Sequence, residues 1–139
     1  MRALRAGKLT YAALEATLEE HAVGRAGDAV PVLRMLGLDK ATIERRAVAL
    51  ATAIGANGWR TAIVDGVSTV GGGSAPGSEI PTRLLVLERD DATAGEIERQ
   101  LRSLDPPVIA RIQDDRVVLD LRTVAESDDE RVAELLLRH

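Results

Sequence analysis

The hydrophobic period of this 139-residue chain changes at Trp59, and that change constrains the fold more than any other feature. Up to Asn57-Gly58 the apolar residues recur at helical spacing; from Trp59 onward short runs alternate with period two or are continuously apolar. The two periods place side chains on incompatible faces, so the chain combines helices and strands rather than being all of one kind. Thr10 to Ala22 reads as a helix, with Leu9, Ala12, Ala13, Leu14, Thr17 and Leu18 near helical spacing and Thr10 as its cap. Gly24, Gly27 and Asp28 interrupt it, and Val30-Pro31-Val32-Leu33 opens a short apolar segment ending at Gly37. Asp39 then caps a second helix whose buried stripe is Ile43, Ala47, Leu50 and Ile54.

The strands follow. Trp59 to Val64 is one, with Val67 to Val70 continuing it after a turn at Asp65-Gly66. A loop, Gly71-Gly72-Gly73-Ser74-Ala75-Pro76-Gly77, precedes Pro81 and the apolar strand Arg83 to Leu87. Ala94 to Leu104 is a third helix, stopped by Pro106-Pro107. Val108 to Ile112 and Arg116 to Leu121 are strands joined through Asp114-Asp115, a hairpin signal. Ser127 caps the last helix, with Glu130 in the capping-box position and Val132, Leu135 and Leu136 facing inward. Paired strands separated by helices favour an α+β two-layer sandwich, a mostly antiparallel sheet with helices on one face. Residues 1–28 read as a connecting helix region with no place on a four-stranded sheet, and residues 29–139 as the α+β domain.

Composition excludes several kinds of chemistry. With one Trp, one Tyr and no Phe, the core is Leu, Val, Ile and Ala, and base stacking on aromatics is largely unavailable. Without cysteine there is no disulfide, thiolate metal site or cysteine nucleophile; His21 and His139 are the only histidines, which argues against a histidine metal site or a serine–histidine triad. A net charge of −4 lacks the footprint of a general nucleic-acid binder. No apolar run approaches the ~20 residues of a membrane span and no signal peptide is legible, so a cytoplasmic location is expected.

The glycine loop carries four glycines in seven residues, a costly choice unless the backbone is unusual or something approaches it closely. It leads into a strand rather than a helix, so it matches neither a P-loop nor a dinucleotide loop. Spacing leaves two readings open: a plain strand connection or a ligand-facing loop. Arg2 and Arg5 share a face at helical spacing and could grip an anion together, or form a solvated basic end. Lys8 reads as a surface residue, and His21 as exposed near a helix end. Asp114 and Asp115 are explained by turn chemistry; with Asp120 they do not make a metal site. Arg111 alternates with Ile112 onto a polar face, for surface pairing or for carboxylate recognition. No set of base, nucleophile and orienter is complete.

Four blocks nevertheless resemble one family, in its own order. Met1 to Leu18 (MRALRAGKLTYAALEATL) resembles the stretch after the catalytic lysine of bacterial L-seryl-tRNA(Sec) selenium transferases, the selenocysteine synthases. Val30 to Leu36 (VPVLRML), Val64 to Gly77 with Ile80-Pro81-Thr82, and Pro106 to Val124 resemble three further family segments, so the resemblance covers nearly the whole chain. It implies the small C-terminal domain of a fold-type I pyridoxal-phosphate enzyme. The family converts seryl-tRNA(Sec) to selenocysteinyl-tRNA(Sec) with selenophosphate, as a homo-oligomer with sites at subunit boundaries. It further implies that the cofactor lysine lies upstream of this chain, so that this segment alone holds no pyridoxal phosphate and is inactive. By the same resemblance Arg2 and Arg5 match paired arginines suited to an anionic selenium or leaving-group species. Gly71, Gly72, Gly73 and Ser74 match an active-site-facing loop with Ser74 near substrate, and Arg111 a carboxylate-binding position. One departure is Ala6-Gly7, where the family usually has Val-Asp, which removes an acidic residue beside Arg5 and Lys8. Two other readings stand beside this one: a domain of a related lyase or transferase acting on a small amino acid, and a free-standing binding or oligomerisation module.

Overall fold

The structure is a computed structural model that describes residues 6–70 and 77–138. The chain divides into two compact units, Met1–Leu38 and Asp39–His139.

The first unit is helical. Helix α1 (Lys8–Ala22) starts from Gly7, so Thr10 lies inside its first turn instead of capping it; the glycine takes the extended N-cap conformation with no side-chain cap bond. None of its residues is buried. Arg25 closes its end with a two-point hydrogen bond to Glu20, Nε to Oε2 at 2.9 Å and Nη2 to Oε1 at 3.0 Å. That bond holds the Glu20 carboxyl below its ordinary pKa. A short helix, α2 (Ala26–Ala29), follows. The apolar segment after it is helical as well: α3 (Pro31–Gly37) begins with Pro31, whose fixed φ and missing N–H suit a first helical turn.

The second unit is built on a four-stranded antiparallel sheet, ordered β1-β2-β4-β3. Helix α4 (Lys40–Ile54) is capped as its sequence predicts: Asp39 Oδ1 accepts from the Thr42 N–H at 2.8 Å. Strand β1 (Arg60–Thr69) runs unbroken, without the expected turn at Asp65-Gly66. Gly66 pairs with Thr82, and a Cβ there would stand 2.4 Å from Leu84 Cδ1, so this glycine makes room for a neighbouring side chain rather than reversing the chain. Strand β2 (Glu79–Glu88) includes Pro81. The Val70 N–H donates to Ser78 O at 3.4 Å, which sets the ladder's phase and makes Val67–Pro81 a non-hydrogen-bonded pair. The nitrogen of Pro81 therefore faces the β4 side, where pairing stops at Leu84–Asp120.

Helix α5 (Ala94–Arg102) carries a capping box the sequence reading passed over, Thr93 with Glu96. Strand β3 is only Arg111–Gln113, shorter than expected, because the chain before it bonds elsewhere: the Val108 N–H donates to Leu101 O at 2.9 Å. Gln113 pairs with Arg116, so β3 and β4 (Arg116–Asp120) form a two-residue hairpin, with Asp114 and Asp115 at φ 51 and 58°. A tight helical turn, Leu121–Thr123, follows β4 directly. Ser127 falls in a second such turn, Glu126–Asp128, and the last helix, α6 (Asp129–Leu137), has Asp128 at its N-cap with no side-chain cap bond. The expected Ser127 cap is thus displaced by one residue.

Pairing sorts the sheet into two faces. Ile63, Leu85, Leu87, Val117 and Leu119 share the first; Val64, Gly66, Ser68, Thr82, Leu84, Val86, Val118 and Asp120 share the second. Helices α4 and α5 pack on the sheet and α6 on α4, the two-layer α+β arrangement that the sequence predicts. Ile43, Ala47, Leu50 and Ile54 of α4 are all buried, as read from their spacing. Trp59 is buried, donates its indole N–H to Leu136 O at 2.9 Å, and carries the Arg89 guanidinium 5.2 Å above its ring. Arg46 ties α4 to α6 and to the turn after β4. Its Nε and Nη2 donate to the two Asp129 carboxylate oxygens at 2.8 and 2.7 Å, and Nη1 and Nη2 to Leu121 O and Val124 O, each at 2.9 Å. The Asp129 hydrogen bonds raise the Arg46 pKa above its ordinary value, against the opposing effect of burial.

Candidate functional site

The second face of the sheet gathers the polar residues. Arg111 pairs with Val118 and so shares that face. Its Nη2 donates to Val67 O at 2.9 Å, joining the strands at the two edges of the sheet. A flat sheet would hold those strands about 14 Å apart, beyond a side chain's reach, so this one is curled over its second face. The Arg111 Nε is buried and has no hydrogen-bond partner. Beneath it lies a small apolar cluster of Leu84, Val86 and Val118, with Val64 packed against it.

Beside the cluster is a buried polar node. Ser68 Oγ donates to Asp120 Oδ2 at 2.5 Å and accepts from Arg122 Nε at 3.0 Å. Asp120 Oδ1 accepts from Thr82 Oγ1 and from the Arg122 N–H, both at 3.1 Å. Arg122 Nη2 donates to Pro81 O at 2.9 Å. Ser68, Thr82 and Arg122 are all buried. These four side chains hold the last residues of β1 and the first of β2, the two strand ends between which the glycine loop runs. Each hydrogen bond between side chains joins partners that are distant in sequence, so only the folded sheet brings the node together.

The candidate residues from the sequence are distributed unevenly. Arg2, Arg5, Gly71, Gly72, Gly73 and Ser74 lie outside the described residues. Arg111 stands on the second face with the node. Asp120 belongs to the node and not to the hairpin's pair of aspartates; among the described residues, no group of three or more His, Asp or Glu could hold a metal ion. His21 is exposed in the last turn of α1. Ser68, Thr82 and Arg122 were not singled out from sequence. Their signal in sequence was slight: Thr82 stands two before Leu84 in an apolar strand run, and Arg122 two after Asp120.

A groove of about 430 Å³ opens next to Asp120, walled by Pro107, Ile109, Val124 and Leu135, with Asp128 and Arg131 supplying its charges. It is lined by no lysine. The two lysines of the chain, Lys8 and Lys40, are placed elsewhere. Lys8 is exposed on α1, and Lys40 pairs with Asp65 in a charged cluster with Arg83 and Glu44. The Lys40 hydrogen bond and the nearby Arg83 charge lower the Asp65 pKa. The described residues therefore do not fit a pyridoxal cofactor: neither amine is set in a cavity that could receive the ring. What the second face holds is the Arg111 guanidinium beside a buried node whose donors bond within the protein, rather than a nucleophile or base. Among the described residues, no helix is long and apolar enough to cross a membrane.

Comparison with known proteins gives this geometry a context. The family model described as L-seryl-tRNA selenium transferase matches residues 1–125. The L-seryl-tRNA(Sec) selenium transferase of Geobacter metallireducens is 40% identical over 132 residues, covering 92% of this chain and 29% of that protein. Those of Aquifex aeolicus and Nitratidesulfovibrio vulgaris are 35% identical over 128 residues and 40% over 140, covering 91% and 97% of this chain. The chain spans 28 to 30% of the length of these relatives.

Proposed function

Because the chain belongs to the L-seryl-tRNA selenium transferase family, we propose that it supplies the small α+β domain of an enzyme converting seryl-tRNA(Sec) to selenocysteinyl-tRNA(Sec). The observation that carries the reading is the family match over residues 1–125, a span that takes in every candidate residue. In this reading selenophosphate is the selenium donor and pyridoxal phosphate supplies the electron sink, held by a lysine outside the described residues. The enzyme works in the cytoplasm as a homo-oligomer. Residues 1–28, within the first compact unit, connect the cofactor-binding part to the domain.

The chain's own residues bind and orient. Arg2 and Arg5 offer a two-point grip on an anionic selenium or leaving group. The Gly71-Gly72-Gly73-Ser74 segment faces the substrate, and Arg111 offers a guanidinium to its carboxylate. The unpartnered Arg111 Nε supports that last role, since a bound carboxylate would complete its hydrogen bonding. The chain alone is then inactive. Adding pyridoxal phosphate to it should give no Schiff-base absorbance; a visible band abolished by Lys8→Ala would overturn the reading.

A further inference from the structure

We propose that Asp120 and Arg122 are positioning residues that lock the strand ends carrying the glycine loop; the inference rests on the reading of that loop as facing the active site. The argument begins with what the ladder lacks. Strand β4 pairs with β2 only from Leu84 to Leu87, so the first part of β2 has a strand neighbour on one side only, β1. Pro81 has no N–H to offer on the open side, and its carbonyl would be left without a ladder partner there. Arg122 fills that place with a side chain, donating Nη2 to Pro81 O while its Nε holds Ser68 Oγ on β1. One guanidinium thereby fastens both strands of the stem.

Asp120 supplies the counterpart. Its carboxylate accepts from Ser68 on β1, from Thr82 on β2, and from the backbone N–H of Arg122. The same carboxylate thus joins the two stem strands and turns the chain so that Arg122 points back at them. The turn Leu121–Thr123 is fixed from its other side by Arg46, which donates to Leu121 O and Val124 O. A continuous run of hydrogen bonds therefore leads from Asp129 and Arg46 through the turn to the stem. What two strand ends carry is placed by how firmly those ends are held.

Native-state amide exchange on the 139-residue chain tests the lock without tRNA, selenium donor or cofactor. In Asp120→Asn and Arg122→Gln, amides of Ser68 to Val70 and Ser78 to Ile80 should exchange about tenfold faster or more, while those of α4 and α6 stay within about twofold. Ser68→Ala removes a single hydroxyl, and it keeps the test open should either charged variant fail to fold. An unchanged stem, or an equal acceleration in α4 and α6, overturns the lock. The positioning role is read in a hybrid carrying this chain in place of the matched 132 residues of the Geobacter metallireducens relative. There Ser68→Ala and Asp120→Asn should lower kcat about tenfold with KM for seryl-tRNA(Sec) within about twofold. Unchanged kcat with a released stem overturns the positioning role. An unsubstituted hybrid without selenium transfer fails the functional reading instead, and the two failures are distinct.

Discussion

Gly66→Ala in β1 is the sharpest probe of the packing on the second face. The new Cβ would lie 2.4 Å from Leu84 Cδ1 and 2.6 Å from its Cγ, against the roughly 3.5 to 4.0 Å of ordinary carbon contact, so Leu84 must retreat by about 1 Å. Leu84 is fully buried and packs with Val86, Val118 and Val64, so it has little room to move. Overpacking of this kind costs about 1 to 3 kcal/mol. Replacing a strand glycine returns about 0.5 to 1 kcal/mol of backbone entropy, leaving a net loss between about 0 and 2.5 kcal/mol. Leu84→Ala alone should cost about 2 to 5 kcal/mol, the range for emptying a buried leucine site. In the double variant the methyl introduced at position 66 no longer collides and fills part of the vacancy. The loss there should fall about 1 to 2 kcal/mol short of the sum of the singles. Urea unfolding followed through Trp59, the only tryptophan and 5% exposed, measures all three. Additivity within about 0.5 kcal/mol would show that Gly66 is not there to admit Leu84.

Two further predictions concern charged groups. Asp129→Asn leaves the buried Arg46 guanidinium without its carboxylate and should cost about 3 kcal/mol in the same unfolding assay; the pair Arg46→Met with Asp129→Leu should recover only part of that loss, because Leu121 O and Val124 O lose their Arg46 donors. Asp39, Asp65 and Glu96 have lowered pKa values in the folded protein, from the Thr42 N–H and hydroxyl, the Lys40 ammonium, and the Thr93 hydroxyl and N–H respectively. A depressed carboxyl binds its proton more readily when unfolded. Its contribution is therefore fully present above the ordinary carboxyl pKa of about 4 and is lost as pH falls through the folded value. Thermal unfolding of Asp39→Asn should accordingly show a shallower fall in Tm below about pH 4 than the parent. A parallel acid limb would refute the cap's ionic role.

What the sequence made legible follows from where each signal resides. Helix α4 was readable because Asp39 and the Ile43, Ala47, Leu50, Ile54 stripe act within one element, and the Asp114-Asp115 hairpin because its turn residues specify φ locally. Gly66 was misread as a turn because its reason is Leu84 on the neighbouring strand, which no local pattern reveals. The Ser68, Thr82, Asp120 and Arg122 node was missed for the same cause: its side-chain bonds join residues 38 to 54 positions apart. The family itself was legible in the four blocks, and the match over residues 1–125 bears that out. The roles of Arg2, Arg5 and the Gly71 to Ser74 segment remain proposals, carried by resemblance.

The most direct measurement of the functional claim is selenium transfer by the unsubstituted hybrid described above, given seryl-tRNA(Sec), selenophosphate and pyridoxal phosphate. The account predicts selenocysteinyl-tRNA(Sec) at a rate within about tenfold of the parent Geobacter metallireducens enzyme, and none from the 139-residue chain alone. A folded hybrid that binds seryl-tRNA(Sec) and yields no selenocysteinyl product would contradict it.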